Sequence, residues 1–182
     1  MVKIRSFIAI EIPDKIKTEI NIMINQFAKQ DFSVQWVKYN NLHITLLFLG
    51  EVDQEFIDKS QKELAIIAGN EKPFEMSLSG IGAFPDLRQP RVIWIGVQKG
   101  AEQMINLQGN VKNSFSRLGY KQESRKFHPH LTIGRVKFRF TNPKVFEKKY
   151  TSESFLVQSV VLFKSILEYS GPIYEKLGEH KF

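Results

Sequence analysis

His128-Pro129-His130-Leu131-Thr132-Ile133-Gly134-Arg135 repeats, far along the chain, the grammar of an earlier stretch, Asn41-Leu42-His43-Ile44-Thr45-Leu46. Both contain a His-apolar-Thr-apolar unit. In a β-strand, side chains two apart point to the same face, so His43 and Thr45 share one face, as do His130 and Thr132. Each unit reads as a short strand presenting an imidazole and a hydroxyl together. The two units lie nearly half of the 182-residue chain apart, as the duplication of a half-chain unit would leave them.

Working outward, the flanks repeat a strand-helix alternation. Arg5 to Ile12 is rich in β-branched and aromatic residues, and Pro13 stops it. Pro13 suits a first helical position and Asp14 the positive end of the dipole; Ile16, Ile20, Met23, Ile24 and Phe27 then recur at helical spacing. Val34 to Val37 reads as a strand and Asn40-Asn41 as a turn. Leu42 to Leu49 is a strand closed by Gly50, with one wholly apolar face of Leu42, Ile44, Leu46 and Phe48. Asp53 caps a second helix with Phe56, Ile57, Leu64 and Ile67 inward and Gly69-Asn70 as its stop.

The second half predicts strands over Phe74 to Ser79 and Val92 to Val97, separated by a proline-bearing loop from Gly82 to Pro90. Gly100 ends the latter strand. A helix follows with Met104, Leu107, Val111, Phe115 and Leu118 inward and Gly119 as its cap. After the second His-x-Thr strand come a brief helix start at Thr141-Asn142-Pro143, a long strand from Phe155 to Leu167, and a turn at Tyr169-Ser170-Gly171-Pro172. No linker or low-complexity tract separates independent domains. The expectation is one α+β domain over residues 1–182. It has two pseudo-symmetric lobes whose largely antiparallel sheets line a central cleft, each contributing one His-x-Thr strand, with helices outside.

Composition narrows the function classes. Lys and Arg number 26 against 19 Asp and Glu, a formal charge of +7 that favours an anionic partner such as nucleic acid, although scattered basic residues also serve solubility. The absence of cysteine rules out disulfides and thiolate chemistry and fits a reducing cytoplasm. No apolar run approaches the ~20 residues of a membrane span. Met1-Val2-Lys3-Ile4-Arg5 leads into a strand rather than a signal peptide, so a cytoplasmic protein with no membrane association is expected.

Two imidazoles across a cleft suit general acid-base catalysis, one as base and the other as acid. Phosphodiester cleavage needs that division, and each Thr offers a hydroxyl to a non-bridging oxygen where charge accumulates. A single His-x-Thr is more often structural; the pair at half-chain separation carries the argument. Zinc fits poorly, since no cysteine, His-x-x-x-His or nearby carboxylate motif accompanies the histidines, and no metal or cofactor is expected. His128 reads as a positioning or packing residue, and His180 as part of a solvated tail.

Several long runs together resemble the 2H phosphoesterase superfamily and, within it, the bacterial and archaeal RNA 2′,3′-cyclic phosphodiesterases, historically called 2′-5′ RNA ligases. They are Phe7-Ile8-Ala9-Ile10, Trp36-Val37 through Asn41-Leu42-His43-Ile44-Thr45-Leu46 to Phe48-Leu49-Gly50-Glu51-Val52, Arg91 to Gly96, and Phe127 to Thr132. The resemblance implies a bilobal α+β fold, no metal, and hydrolysis of a terminal RNA 2′,3′-cyclic phosphate to a 2′-phosphomonoester, with weak reversible 2′-5′ ligation. Carried over, His43 is the proton donor to the departing 3′ oxygen, His130 the acceptor that activates water, and Thr45 and Thr132 bind the phosphate. Arg135 resembles a family arginine at the phosphate. Strict alternation puts it on the face opposite His130; a twist or bulge near Gly134 brings it round, and otherwise it is a surface charge. Phe7 and Trp94 stack on a base or belong to the core. The implied partner is RNA with a cyclic phosphate end, transfer-RNA fragments or nucleotides included, acted on by a monomer. The alternatives are a non-catalytic RNA- or nucleotide-binding module and a phosphodiesterase for a small cyclic nucleotide phosphate.

Overall fold

The structure, a computed structural model, describes residues 3–30, 33–121, 126–169 and 171–182. Met1, Val2 and Ser170, on which the leader and last-turn expectations partly rest, lie outside them. The strands are β1 (Ile4–Glu11), β2 (Val34–Trp36), β3 (His43–Val52), β4 (Phe74–Met76), β5 (Leu78–Phe84), β6 (Val92–Val97), β7 (His130–Val136), β8 (Phe155–Val157), β9 (Ser159–Glu168) and β10 (Gly171–Lys181). The helices are α1 (Asp14–Ala28), α2 (Gln54–Asn70) and α3 (Ala101–Arg117). The first sheet runs β10-β9-β1-β3, the second β2-β7-β6-β5, and β4 with β8 forms a separate ribbon. All these pairs are antiparallel, as expected of the α+β class.

The lobes are not the two halves of the chain. Phe7 to Ile10 of β1 is buried on both faces and needs a strand on each side; β3 supplies one and β9, from the far end of the chain, the other. In exchange β2 crosses to the second sheet and covers the edge of β7. The apolar stripes of the helices then close over the sheets. α2 packs under β9 and β10, α3 lies against α2 and β3, and α1 against β2. One buried cluster runs through both sheets, including Ile8, Ile44 and Leu162 of the first and Ile93, Ile95, Leu131 and Ile133 of the second.

Several boundaries move for local reasons. Pro13 precedes α1 rather than opening it, its carbonyl accepting from Lys17 N at 2.9 Å. Asp53 does cap α2, its Oδ1 accepting from Phe56 N at 2.9 Å, but Gly69 and Asn70 stay within the helix. Gly119 ends α3 as expected, at φ +88°. The strand expected from Phe74 breaks at Ser77, whose backbone turns to Lys99 and Gln98, and the one from Phe155 breaks at Gln158. Gly82 to Phe84, expected in a loop, belong to β5 because they pair with Trp94, Ile93 and Val92 of β6, and the Trp94 ring lies so closely over Gly82 that a Cβ there would be 2.3 Å from it. His180 is no solvated tail residue: it sits in β10 and donates through Nε2 to Gln61 Oε1 at 2.7 Å.

The largest correction concerns β3. The strand does not close at Gly50 but continues to Val52, and it carries two bulges. Opposite β1, Leu49 and Leu46 are each extra residues, so Phe7 pairs with Phe48, Ile8 with Leu47, and Ala9 with Thr45. Each bulge reverses the alternation. Leu47 is therefore buried in the core, and Phe48, expected there, stands 52% exposed on the opposite face beside Phe7.

Candidate active site

His43 opens β3 and His130 opens β7, and these two strands touch where the sheets meet. The rings are held alike. His43 Nδ1 donates to the carbonyl of Asn41 at 2.7 Å, and His130 Nδ1 donates to the carbonyl of His128 at 2.6 Å, each two residues upstream. In a neutral imidazole this fixes the proton on Nδ1 and leaves the Nε2 lone pair for other work. At His43 that lone pair accepts from the Thr45 hydroxyl at 3.0 Å, so the shared strand face becomes a hydrogen bond. Thr132, two beyond His130, is half-buried and pairs with Trp94.

Arg135 joins them through a bulge. Along β7, Thr132 pairs with Trp94 but Gly134 with Ile93, leaving Ile133 as the extra residue, and Arg135 pairs with Val92. The reversal brings Arg135 to the face of His130 and Thr132. Its charge acts on His43, on His130 and on the Tyr174 phenol. Burial lowers His43 to about 4, with the charges of Lys17, Arg135 and His130 adding to the effect and the Asn41 carbonyl opposing it. Burial also lowers His130, against the pull of the His128 carbonyl. Both rings are neutral at pH 7, and an anion between them would raise both.

Aromatic side chains wall each ring, and sequence reasoning missed most of them. Phe7 lies 4.8 Å and Tyr174 5.2 Å from His43, with Phe163 stacked on Phe7 at 5.2 Å. Phe84 meets His130 edge-on at 5.0 Å, and Trp94 lies 5.0 Å from His128. Phe7, only 3% exposed, is core and offers no open face to a base. His128 positions and packs, as expected: its carbonyl holds His130 and its ring rests on Trp94. Asn41, read as a turn marker, also ties the site to the other end of the chain, its Nδ2 donating to the Pro172 carbonyl at 2.8 Å. Nothing in the sequence joins Asn41 or Phe7 to Tyr174, because β10 reaches the first sheet only through the long return of the chain. Among the described residues, no three His, Asp or Glu side chains cluster as metal ligands.

Two antiparallel sheets, each carrying one His-x-Thr strand to their junction, are the architecture of a 2H phosphoesterase. Comparison with known proteins narrows the class. A family model described as the 2′-5′ RNA ligase superfamily matches residues 12–165, and the chain belongs to that superfamily. The RNA 2′,3′-cyclic phosphodiesterase of Archaeoglobus fulgidus is 38% identical over 178 residues, covering 95% of this chain and 97% of that one. Its namesake from Methanocaldococcus jannaschii is 38% identical over 180 residues, covering 96% and 99%. Escherichia coli LigT, in its complex with 3′-AMP, matches with a TM-score of 0.75 at 28% identity over 99% of this chain and 98% of that one. A Thermus thermophilus protein, TT0787, shares the fold, with a TM-score of 0.84 at 24% identity over 97% of each chain.

Proposed function

We propose that this chain is a metal-independent RNA 2′,3′-cyclic phosphodiesterase whose residues 1–182 work as one bilobal domain. The observation that carries the proposal is the matched pair of imidazoles, each pinned at Nδ1 by a carbonyl two residues upstream so that Nε2 is the reacting nitrogen, which at His43 meets the Thr45 hydroxyl, under the common charge of Arg135. The names of the relatives at 38% identity support the substrate class.

The cyclic phosphate monoanion sits between the rings, replacing solvent as the neighbour of two desolvated imidazoles and drawing one proton onto the pair. His130, whose contact with its carbonyl is the more exposed of the two, takes a proton from water as the water oxygen attacks phosphorus. His43 gives its proton to the 3′ oxygen as the P–O3′ bond breaks, leaving a 2′-phosphomonoester. A ring with so low a pKa is a strong acid once protonated, which suits it to an alkoxide leaving group. Thr45, Thr132 and Arg135 hold the non-bridging oxygens, where negative charge gathers. Run with an RNA 5′ hydroxyl in place of the attacking water, the same steps form a 2′-5′ linkage, and run backwards they cleave it.

The test is the product on a short RNA ending in a 2′,3′-cyclic phosphate. A 2′-phosphate end is expected; a 3′-phosphate, or turnover only of small cyclic nucleotide phosphates, refutes the proposal. Because the two histidines carry the proton transfers, EDTA should leave turnover unchanged; loss that zinc or magnesium restores would contradict the mechanism. The pH dependence follows from the lowered pKa values. The working form holds one proton on the pair, and both free-state values lie below 6.5, so kcat/KM should peak on the acid side of 6.5. Above the upper value it should fall about tenfold per pH unit as that proton is lost; a plateau reaching pH 8 would contradict this. RNA partners include transfer-RNA fragments and nucleotides, and the enzyme acts as a cytoplasmic monomer. No helix among the described residues is long and apolar enough to cross a membrane.

A further inference from the structure

Two exposed tracts flank strand β2 at one end of the cleft, and the chemistry above uses neither. The first continues β7 past Arg135, where Lys137, Phe138, Arg139 and Phe140 alternate basic and aromatic. Phe140 turns in against Phe146 at 5.5 Å, but Phe138 is 78% exposed. Lys137 and Arg139 are exposed and enter no ion pair among the described residues. The backbone N–H of Lys137 donates to the Ser33 carbonyl at 2.8 Å, which fixes the tract beside β2.

The second tract is the tip of the β9–β10 hairpin, where Tyr169 is fully exposed and Leu167 69% exposed. The start of β10 lies beside the same strand β2. A Cβ at Gly171 would lie 3.9 Å from Gln35 Nε2, Gln35 pairs with Arg135, and the Pro172 carbonyl takes the Asn41 hydrogen bond. Both tracts therefore border the end of the cleft to which Arg135 belongs.

Exposed rings beside unpaired cations are costly for a surface that meets only water, and an apolar protein face would leave the cations unanswered. A single nucleic-acid strand answers both, since its bases stack on rings and its phosphates pair with Lys and Arg. We infer that this end of the cleft is a subsite for single-stranded RNA upstream of the cyclic phosphate. Bases stack on Phe138 and Tyr169, and backbone phosphates are held by Lys137 and Arg139. The inference rests on the proposed RNA reading. Reach gives it a sharp consequence: strand β7 carries the chain from His130 to Val136, up to about 20 Å at ~3.3 Å per residue, before it reaches Phe138, too far for a mononucleotide to span.

The test measures fluorescence anisotropy of a labelled single-stranded RNA on the order of ten nucleotides long. Alongside it, kcat/KM is measured on that RNA bearing a cyclic phosphate and on cytidine 2′,3′-cyclic monophosphate. The variants are Phe138→Ala with Tyr169→Ala, and Lys137→Ala with Arg139→Ala. The aromatic pair should weaken RNA binding about tenfold or more and lower kcat/KM on the oligonucleotide in proportion, leaving the mononucleotide within about twofold. The cationic pair should flatten the salt dependence of RNA binding by about 1.4 in log–log slope. Unchanged RNA affinity in both variants, or equal losses on both substrates, overturns the inference. Lack of wild-type turnover on both cyclic phosphates counts against the phosphodiesterase reading alone, and the anisotropy still decides the subsite.

Discussion

Replacing His43 or His130 by alanine is expected to lower turnover of an RNA 2′,3′-cyclic phosphate by about 10²-fold to 10⁴-fold, the usual worth of a positioned acid or base. Both rings are partly exposed and bond outward only to a neighbouring carbonyl and, for His43, to Thr45, so neither truncation opens the core. Circular dichroism and the unfolding midpoint should stay near those of the parent. The double variant should be little worse than either single one, because a reaction that needs both a donor and an acceptor is already crippled by losing one. Near-normal turnover in either single variant would remove the two-histidine mechanism.

The second large effect falls on stability. Phe115 of α3 is fully buried, meets Phe56 of α2 edge-on at 6.3 Å, and belongs to the cluster that runs under both sheets. Phe115→Ala should cost about 3–5 kcal/mol, the transfer of the ring plus the cavity it leaves. For a chain of this size that lowers Tm by roughly 2–4 °C for each kcal/mol. Ile105, on the same helix but 44% exposed, provides the control: Ile105→Ala should stay within about 0.5 kcal/mol. Urea unfolding of both variants checks the pair, and equal losses would mean that α3 is not anchored through Phe115.

Periodicity located the helices well because their apolar faces do repeat at the helical interval. Met104, Leu107, Val111 and Phe115 are all fully buried. The strands were legible only as far as strict alternation holds. Bulges at Leu46, Leu49 and Ile133 break it, and a bulge is a relation between two strands that one strand's sequence does not carry. That explains two outcomes: Phe48, assigned to the core face, stands on the other, and Arg135, out of phase with His130 by count, is in phase in space. The exchange of β2 and of the β9–β10 pair between sheets was illegible for a related reason. Strand order depends on which edges need covering, and the doubly buried β1 demands partners from both ends of the chain. The pairing of each histidine with its threonine was legible because only two residues separate them. The aromatic walls around the rings, assembled from β1, β5, β6, β9 and β10, were not.

If both imidazoles serve one phosphate, NMR titration of the His43 and His130 rings shows it most directly. Each ring is followed against pH with and without a nucleoside 2′-monophosphate, the expected product, and assigned with the single alanine variants. Without ligand, His43 should titrate near 4 and His130 below 6.5. With one equivalent bound, both should move upward together, as two rings facing one anion must. A shift confined to one histidine, or none in either, would contradict the shared phosphate.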